Sequence, residues 1–283
     1  MPKLRVGIAD IVDARPLAWG FVKGHYSDLF APIVKPLPLI GRLLAQGGLD
    51  AGLVPTVDAA RDPDLMALPE LCVAFPGEAR SLLLVSSSPL AELRRVYLGR
   101  SARSAAAVAR IVLAEGFGLE PEYLETDTTP FPGAAPEPGR PRLERREAAL
   151  LIGGTALKLA LGGGGRAGGR EVLDLGSAWR ELTGWPLVAG LWVVRPEASL
   201  PDLAFYFKSS LRYGMASLSA IAREAAAELG LDSEELARFL HENVGYLLRD
   251  EEHRGLEELI RRAARLGLVP EGAAIRFLPA DSG

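Results

Sequence analysis

The chain has 283 residues, too long for one compact core, with room for two lobes or one large α/β unit. Hydrophobic residues make up 48% and charged residues 24%, which is typical of a globular protein and excludes a disordered one. The net charge of −4 disfavours nucleic acid or an anionic membrane as the main partner, and the single cysteine excludes an intrachain disulfide and a cysteine-rich metal site. The chain shows neither an export signal nor a run of 18 apolar residues, so we expect a cytoplasmic protein with no membrane association.

Short apolar runs alternate with helical patterns in the first third of the chain. The runs predict five strands, at residues 4–9, 34–37, 51–54, 71–75 and 81–86. A helix is predicted over residues 39–46, where two glycines end it. Because strands that alternate with helices pair in parallel, this pattern indicates a doubly wound sheet.

A second α/β set begins after Ser88 and Pro89. The predicted strands lie at residues 95–98, 122–125, 148–153 and 171–175, and the predicted helix at 102–115. The proline-rich segment 126–142 and the glycine run 162–169 are predicted to be loops. The glycine run lacks the Gly-Lys-Ser/Thr ending of a phosphate-binding loop, so it is not expected to bind a nucleotide.

The last third of the chain starts with a strong strand at residues 187–194 and then becomes helical. Helices are predicted at 200–229, 233–246 and 254–266, and the first two begin with the capping pairs Ser199–Asp202 and Asp232–Glu235.

This order predicts an α/β protein of two lobes, with a helical C-terminal region. Lobe 1 would contain residues 1–87 and 188–283, lobe 2 residues 88–187, and the hinge segments would lie near 85–90 and 184–190. Ligands of such folds bind in the cleft between the lobes.

Common cofactor and metal chemistry has no support in the sequence. The three histidines lack metal-type spacing, and neither a Gly-x-Ser-x-Gly nucleophile motif nor a dinucleotide-binding glycine pattern occurs. We therefore expect neither a metal nor a cofactor.

Polar residues at predicted strand ends are the candidates for a ligand site, because α/β folds bind their ligands there. Asp13 and Arg15 follow the first strand. Asp13 is a candidate base or substrate contact, and Arg15 is a candidate bidentate partner of a carboxylate. The alternative is that Asp13 caps the helix led by Pro16, while Arg15 lies on the surface or pairs with Asp13.

The remaining candidates are hydrogen-bond donors that would bind the substrate. They follow the strand at 51–54, lie at the two ends of the strand at 81–86, begin the helix at 102–115, or lie at the end of the strand at 148–153. These residues are Thr56, Ser81, Ser86, Ser87, Ser101, Arg103, Ser104, Gly153, Gly154 and Thr155. Each has a structural alternative as a hinge residue, a helix cap or a close-packing glycine. Together they predict a cleft with many donors and few acids, suited to a small anion.

Six segments resemble, in order along the chain, the chorismate dehydratase family of the futalosine route to menaquinone. They are Arg15-Pro16-Leu17 and residues 49–56, 80–86, 101–104, 149–153 and 174–184. The resemblance runs from about residue 4 to about residue 268, and its most specific parts are the Arg-Pro-Leu element and residues 174–184.

The resemblance implies the fold of type II periplasmic binding proteins and a cofactor-independent hydro-lyase. The family removes water from chorismate, a dicarboxylate, to give 3-[(1-carboxyvinyl)oxy]benzoate. No cofactor is needed because the ring becomes aromatic as the C3 proton and the C4 hydroxyl leave. Arg15 and Arg103 are then the candidate carboxylate partners. The family often has Asn where this chain has Asp13. Asp13 is either the base for the C3 proton or, if a substrate carboxylate takes that proton, the residue that orients the leaving hydroxyl.

Two other functions remain open from the sequence. The sister enzyme of the pathway, 1,4-dihydroxy-6-naphthoate synthase, shares the fold, but its expected base is a histidine and the nearest candidate, His25, follows the first helix. A cytoplasmic small-anion-binding protein of the same fold would need no catalytic residue. The sequence makes no prediction of the oligomeric state.

Overall fold

The structure, a computed structural model, describes residues 2–100, 102–126, 143–162, 170–198 and 200–279. The predicted loops at 126–142 and 162–169 lie outside these residues except for Thr126, which ends β7, and Gly162, which follows α5. The predicted roles of Ser101 and Ser199 also lie outside them. None of the helices in these ranges combines the length and hydropathy needed to cross a bilayer.

Within the described ranges the chain forms twelve strands and ten α-helices. The strands are β1 (Leu4–Ala9), β2 (Phe30–Lys35), β3 (Ala51–Pro55), β4 (Met66–Phe75), β5 (Leu82–Ser86), β6 (Arg95–Gly99), β7 (Glu122–Thr126), β8 (Glu147–Ile152), β9 (Glu171–Asp174), β10 (Leu187–Val194), β11 (Gly245–Leu247) and β12 (Arg276–Phe277). The helices are α1 (Arg15–Val22), α2 (Leu37–Ala45), α3 (Thr56–Arg61), α4 (Arg103–Ile111), α5 (Gly153–Leu161), α6 (Leu175–Thr183), α7 (Leu203–Ala216), α8 (Leu218–Leu229), α9 (Ser233–Arg238) and α10 (Asp250–Arg265).

The first sheet has seven strands in the order β11-β4-β10-β3-β1-β2, with β12 beside β4. β1 is parallel to β2 and β3, as the alternation of strands and helices predicts. β10 is antiparallel to both of its neighbours. The consecutive residues Leu191, Trp192, Val193 and Val194 of β10 are all buried, because a central strand covered on both faces needs a continuous apolar run.

The second sheet has five strands in the order β7-β6-β8-β5-β9. β5 runs antiparallel to both β8 and β9. We expected this apolar segment in lobe 1 and a crossing near residues 85–90. Its backbone pairing instead places it in the second sheet, so the chain crosses between the sheets at residues 76–81. Movement of the two sheets about a hinge stays a prediction.

The C-terminal region differs from the predicted helices at two points. The single helix expected over residues 200–229 is divided at Ser217 into α7 and α8. The helix expected over 233–246 ends early, because Gly245 and Leu247 pair with β4 and so form β11. The predicted cap at Asp232 is confirmed, since its side chain accepts from the amides of Glu234 and Glu235.

Helices α1 and α7 cross at close range because glycines stand at their contact. A Cβ atom built on Gly20 would lie 2.8 Å from the Cα of Ser210, and one built on Gly214 would overlap the carbonyl group of Pro16. The buried Ser210 hydroxyl donates to the carbonyl of Leu17 at 2.8 Å and accepts from the amide of Gly20 at 3.1 Å. This crossing fixes the position of α1 directly after the segment that carries Asp13.

We predict that Gly214→Ala destabilises the protein by about 1–3 kcal/mol, because the new methyl group meets backbone atoms that must shift. Gly116→Ala is the matched control, since a Cβ at this exposed position meets nothing within 4 Å. Urea unfolding of both variants measures the difference. Equal stability of the two variants would show that α1 and α7 do not pack closely at Gly214.

Candidate active site

A cavity of about 320 Å³ lies between the two sheets. Asp13 and Pro55 line it from the first sheet, and Ser81, Ser104 and Gly153 line it from the second. Most of the other lining side chains are apolar. The cavity therefore brings together candidates from four segments that are far apart in the sequence.

The direction of β5 decides which of its serines reaches the cavity. Leu82 pairs with Ile152, so the start of β5 lies beside the end of β8. Ser81 and Gly153 consequently meet, and the Gly153 amide donates to the Ser81 carbonyl at 2.8 Å.

Ser86 and Ser87 lie at the opposite end of β5 and do not reach the cavity. The Ser86 hydroxyl donates to the carbonyl of Ser88 at 2.6 Å, and the Ser87 hydroxyl donates to the carbonyl of Glu147 at 3.0 Å. Their prediction as substrate contacts assumed that ligands gather where strands end, which holds for parallel strands. An antiparallel strand brings its beginning to that edge.

Asp10 and Asp13 both line this cavity, and Asp13 is the buried one of the two. Its side chain is buried, and the Ser81 hydroxyl donates to Oδ2 at 2.9 Å. Oδ1 has no hydrogen-bond partner among the described residues. Burial raises the pKa of Asp13 to about 6, while the hydrogen bonds from Ser81 and from its own backbone amide act in the opposite direction. Asp13 does not cap α1, whose N-cap is Ala14 without a side-chain hydrogen bond.

Tyr246 is a residue near Asp13 that the sequence did not indicate. Its hydroxyl is buried and has no partner within the described part of the chain. Burial, and then the charge of Asp13, raise the pKa of Tyr246 well above its usual range. The sequence did not indicate Tyr246 because it was predicted to lie in a helix over residues 233–246, whereas the pairing of β11 with β4 brings it next to the site.

Ser104 and Thr56 make hydrogen bonds within the protein. The Ser104 hydroxyl, at the start of α4, accepts from the Val57 amide of α3 at 2.9 Å and so connects the two sides of the cavity. The Thr56 hydroxyl donates to the carbonyl of Val188 at 2.7 Å, and Thr56 does not line the cavity. Ser104 thus faces the candidate site, whereas Thr56 fixes α3 on β10.

A larger space of about 960 Å³, the outer chamber, adjoins the cavity of about 320 Å³, which is called the inner cavity. The two share the lining residues Pro38, Val54, Ala102 and Ile152. Its charged lining residues are Arg42, Arg61, Arg100, Arg103, Asp58, Asp62 and Glu125. Arg103 forms an ion pair with Asp58 at 3.2 Å, and burial raises the pKa of Asp58 against the opposing charges of Arg103 and Arg61. Thr155 lines this outer chamber, and Gly154 lines the inner cavity.

Arg15 lines neither space. Its guanidinium donates twice to the Glu228 carboxylate of α8, with one of the two bonds at 3.1 Å. His25 contacts the ring of Tyr213 with centroids 4.0 Å apart and ring planes tilted by 53°, and it also lies outside both linings. No group of three or more His, Cys, Asp or Glu side chains in the described ranges is placed to hold a metal ion.

Replacing Asp13 by Asn is predicted to stabilise the folded protein at neutral pH. The pKa of Asp13 rises on folding from 3.8 to about 6, so the folded state binds this proton more tightly than the unfolded state. The free energy of unfolding is therefore highest below pH 3.8, falls as the pH increases, and reaches its lower level once the pH has risen through 6. The full difference corresponds to about 3 kcal/mol, and we expect Asp13→Asn to recover about 1–3 kcal/mol at pH 7.5 and nothing at pH 4.

Urea unfolding at the two pH values measures this effect. Asp28→Asn removes the same charge from an exposed position and should show no such pH-dependent gain. A wild-type protein that is as stable as Asp13→Asn at pH 7.5 would contradict the burial of an ionised Asp13.

Comparisons with known proteins agree with this architecture. The family model for menaquinone biosynthesis matches residues 4–265. The chorismate dehydratase of Thermus thermophilus is 28% identical over 244 residues, which cover 81% of this chain and 84% of that protein.

Solved structures show the fold. The periplasmic aliphatic sulphonate binding protein SsuA of Escherichia coli superposes with a TM-score of 0.64 at 16% identity, over 100% of this chain and 96% of that one. A Candida albicans protein with the generic periplasmic binding protein fold gives a TM-score of 0.62 at 12% identity, with both chains fully covered. The expected fold class is therefore confirmed, and, on the match over residues 4–265, the chain belongs to the menaquinone biosynthesis family.

Proposed function

We propose that this protein is a chorismate dehydratase that converts chorismate to 3-[(1-carboxyvinyl)oxy]benzoate and water. Family membership and the similarity to a chorismate dehydratase support this function. The observation that carries it is Asp13, a buried carboxyl group in the cleft whose pKa of about 6 makes it an efficient base near neutral pH.

The proposed reaction needs one group that moves a proton. The Asp13 carboxylate takes the proton from C3, the electrons of the C3–H bond form the new ring double bond, and the C4–O bond breaks. The proton on Asp13 then joins the leaving hydroxide, so water is released and Asp13 is ionised again. Because the product ring is aromatic, the reaction requires no cofactor to supply a driving force.

The two cavities offer separate places for the two substrate carboxylates. The first turn of α5 has no side-chain cap, and its amides begin at the inner cavity next to Gly153. Gly153 has φ of +56°, a conformation that glycine adopts readily, so the chain can turn there and present the helix N-terminus. Arg103 and Arg42 stand in the outer chamber, where a second carboxylate would find positive charge.

The ring would then lie over the apolar wall of the inner cavity. Ser81 holds Oδ2 of Asp13, which leaves the partnerless Oδ1 for the C3 proton. Apolar surroundings keep water away and so preserve the basicity that burial gives to Asp13. The cytoplasmic location remains a prediction, as do the substrate contacts.

The direct test is to mix the purified protein with chorismate, without added metal or nucleotide, and to analyse the products by liquid chromatography and mass spectrometry. We expect a product lighter by one water. Asp13→Ala and Ser81→Ala should each lower kcat at least about tenfold. Ser87→Ala is the matched serine control and should turn over at nearly the wild-type rate, because Ser87 lies at the far end of β5.

The other outcomes point elsewhere. A near-wild-type rate for Asp13→Ala would remove Asp13 from the mechanism and leave a substrate carboxylate as the base. If chorismate is unchanged but raises Tm, the protein is a small-anion-binding protein. If chorismate has neither effect, the substrate of 1,4-dihydroxy-6-naphthoate synthase is the next one to assay.

The pH dependence of turnover reports the role of Asp13. A base must be ionised, so kcat/KM should rise with pH through about 6 and then level off. If Asp13 instead acted first as an acid, kcat/KM would fall over the same range. Fixed-time assays in overlapping buffers at constant ionic strength measure the profile. The residual activity of Asp13→Asn should not show the rise of kcat/KM with pH.

A further inference from the structure

The Ser81 hydroxyl can donate to Asp13 only if the segment before Ser81 is held in place. That segment, residues 76–81, joins the two sheets, and a carboxylate from outside the cavity binds its backbone. Asp174, the last residue of β9, accepts from the amide of Ala79 at 2.9 Å and from the amide of Arg80 at 2.7 Å. The same carboxylate accepts from the Ser177 amide at 2.9 Å and so caps α6.

The held segment has a conformation that it would not keep by itself. Arg80 has φ of +53°, in the left-handed region that residues with a Cβ atom disfavour. Ser81 follows immediately, so the φ and ψ of Arg80 set the direction in which the Ser81 hydroxyl points. Gly176 allows the close approach, because a Cβ atom there would overlap the carbonyl of Gly77 and lie 2.8 Å from the Cβ of Ala79.

We propose that Asp174 is a positioning residue, which fixes the 79–80 backbone so that Ser81 donates to Asp13. Asp174 lines neither cavity, so we infer that it acts on the site through the backbone that precedes Ser81. The effect on turnover depends on the proposed dehydratase function, whereas the effect on the Asp13 carboxyl group does not.

Asp174→Asn separates the two tasks of the carboxylate. The Ala79 and Ser177 amides both donate to Oδ1, and the Arg80 amide donates to Oδ2. An asparagine can keep its oxygen at the Oδ1 position and so retain the helix cap. Its NH₂ group then faces the Arg80 amide. Because both groups are hydrogen-bond donors, this hydrogen bond is lost, and the backbone of Arg80 is no longer fixed before Ser81.

Titration of Asp13 measures the result without an assay of activity. With ¹³C-labelled aspartate, and with Asp13→Asn to assign the signal, the carboxyl carbon of Asp13 can be followed by NMR from pH 4 to pH 8. Its midpoint should move to higher pH in Asp174→Asn, because the hydrogen bond from Ser81 lowers the pKa of Asp13. Tyr246 faces Asp13 from β11 and stays protonated throughout this range.

Asp232→Asn is the matched control, since Asp232 caps α9 through two amides and its side chain binds no other segment among the described residues. It should change neither the Asp13 midpoint nor kcat. If Asp174→Asn folds poorly, Arg80→Gly in the same chain removes the strain at φ +53° and should restore folding. Because glycine adopts this φ without a carboxylate to hold it, the double variant should also recover part of the shift in the Asp13 midpoint.

In Asp174→Asn we expect kcat for chorismate to fall between about 10-fold and 100-fold with KM little changed. An unchanged Asp13 midpoint in a folded Asp174→Asn protein would overturn the inference. A wild-type protein that leaves chorismate intact would contradict the proposed function alone, because the NMR titration still tests Asp174.

Discussion

The site depends on one constraint, which is that a carboxyl group is buried between two sheets. Burial raises the pKa of Asp13 to about 6, and the hydrogen bond from Ser81 opposes part of this effect. Since Asp13 follows β1 and Ser81 precedes β5, this bond joins the two sheets. Ser104 joins them again through the Val57 amide. The same contacts therefore hold the sheets together and define the environment of the proposed base.

The most family-specific segments have mainly structural contacts. In Arg15-Pro16-Leu17, the first side chain pairs with Glu228 of α8, the Pro16 carbonyl meets α7 at Gly214, and the Leu17 carbonyl accepts from Ser210. The segment 174–184 caps its own helix at the start and ends it at Gly184, which has φ of +76°. Both segments lie next to residues of the site. A family resemblance based on them therefore reflects the contacts that position Asp13 and Ser81 as well as the contacts that would bind a substrate.

The sequence predicts most strands and the strand-end residues, because both follow from local patterns of apolar and polar residues. The strand predicted at 34–37 is an exception, since β2 covers Phe30–Lys35 and α2 begins at Leu37. Asp13, Ser81, Ser104 and Gly153 were expected at a cleft, and the structure brings them together. What local patterns lack is the direction of pairing. The antiparallel course of β5 takes Ser86 away from the cavity, and the pairing of β11 with β4 overrides a helical pattern at Tyr246. Both outcomes arise from contacts between residues far apart in the chain.

The position of β10 between β3 and β4 has a consequence for how the protein is made. The second sheet is continuous in the chain, from β5 to β9, and can assemble as soon as those residues leave the ribosome. The first sheet cannot, because β3 and β4 have no direct pairing and wait for β10, more than a hundred residues after β4 begins. We therefore expect the later sheet to be complete first during synthesis, while the edges of β3 and β4 stay open to wrong pairing until the last third of the chain arrives.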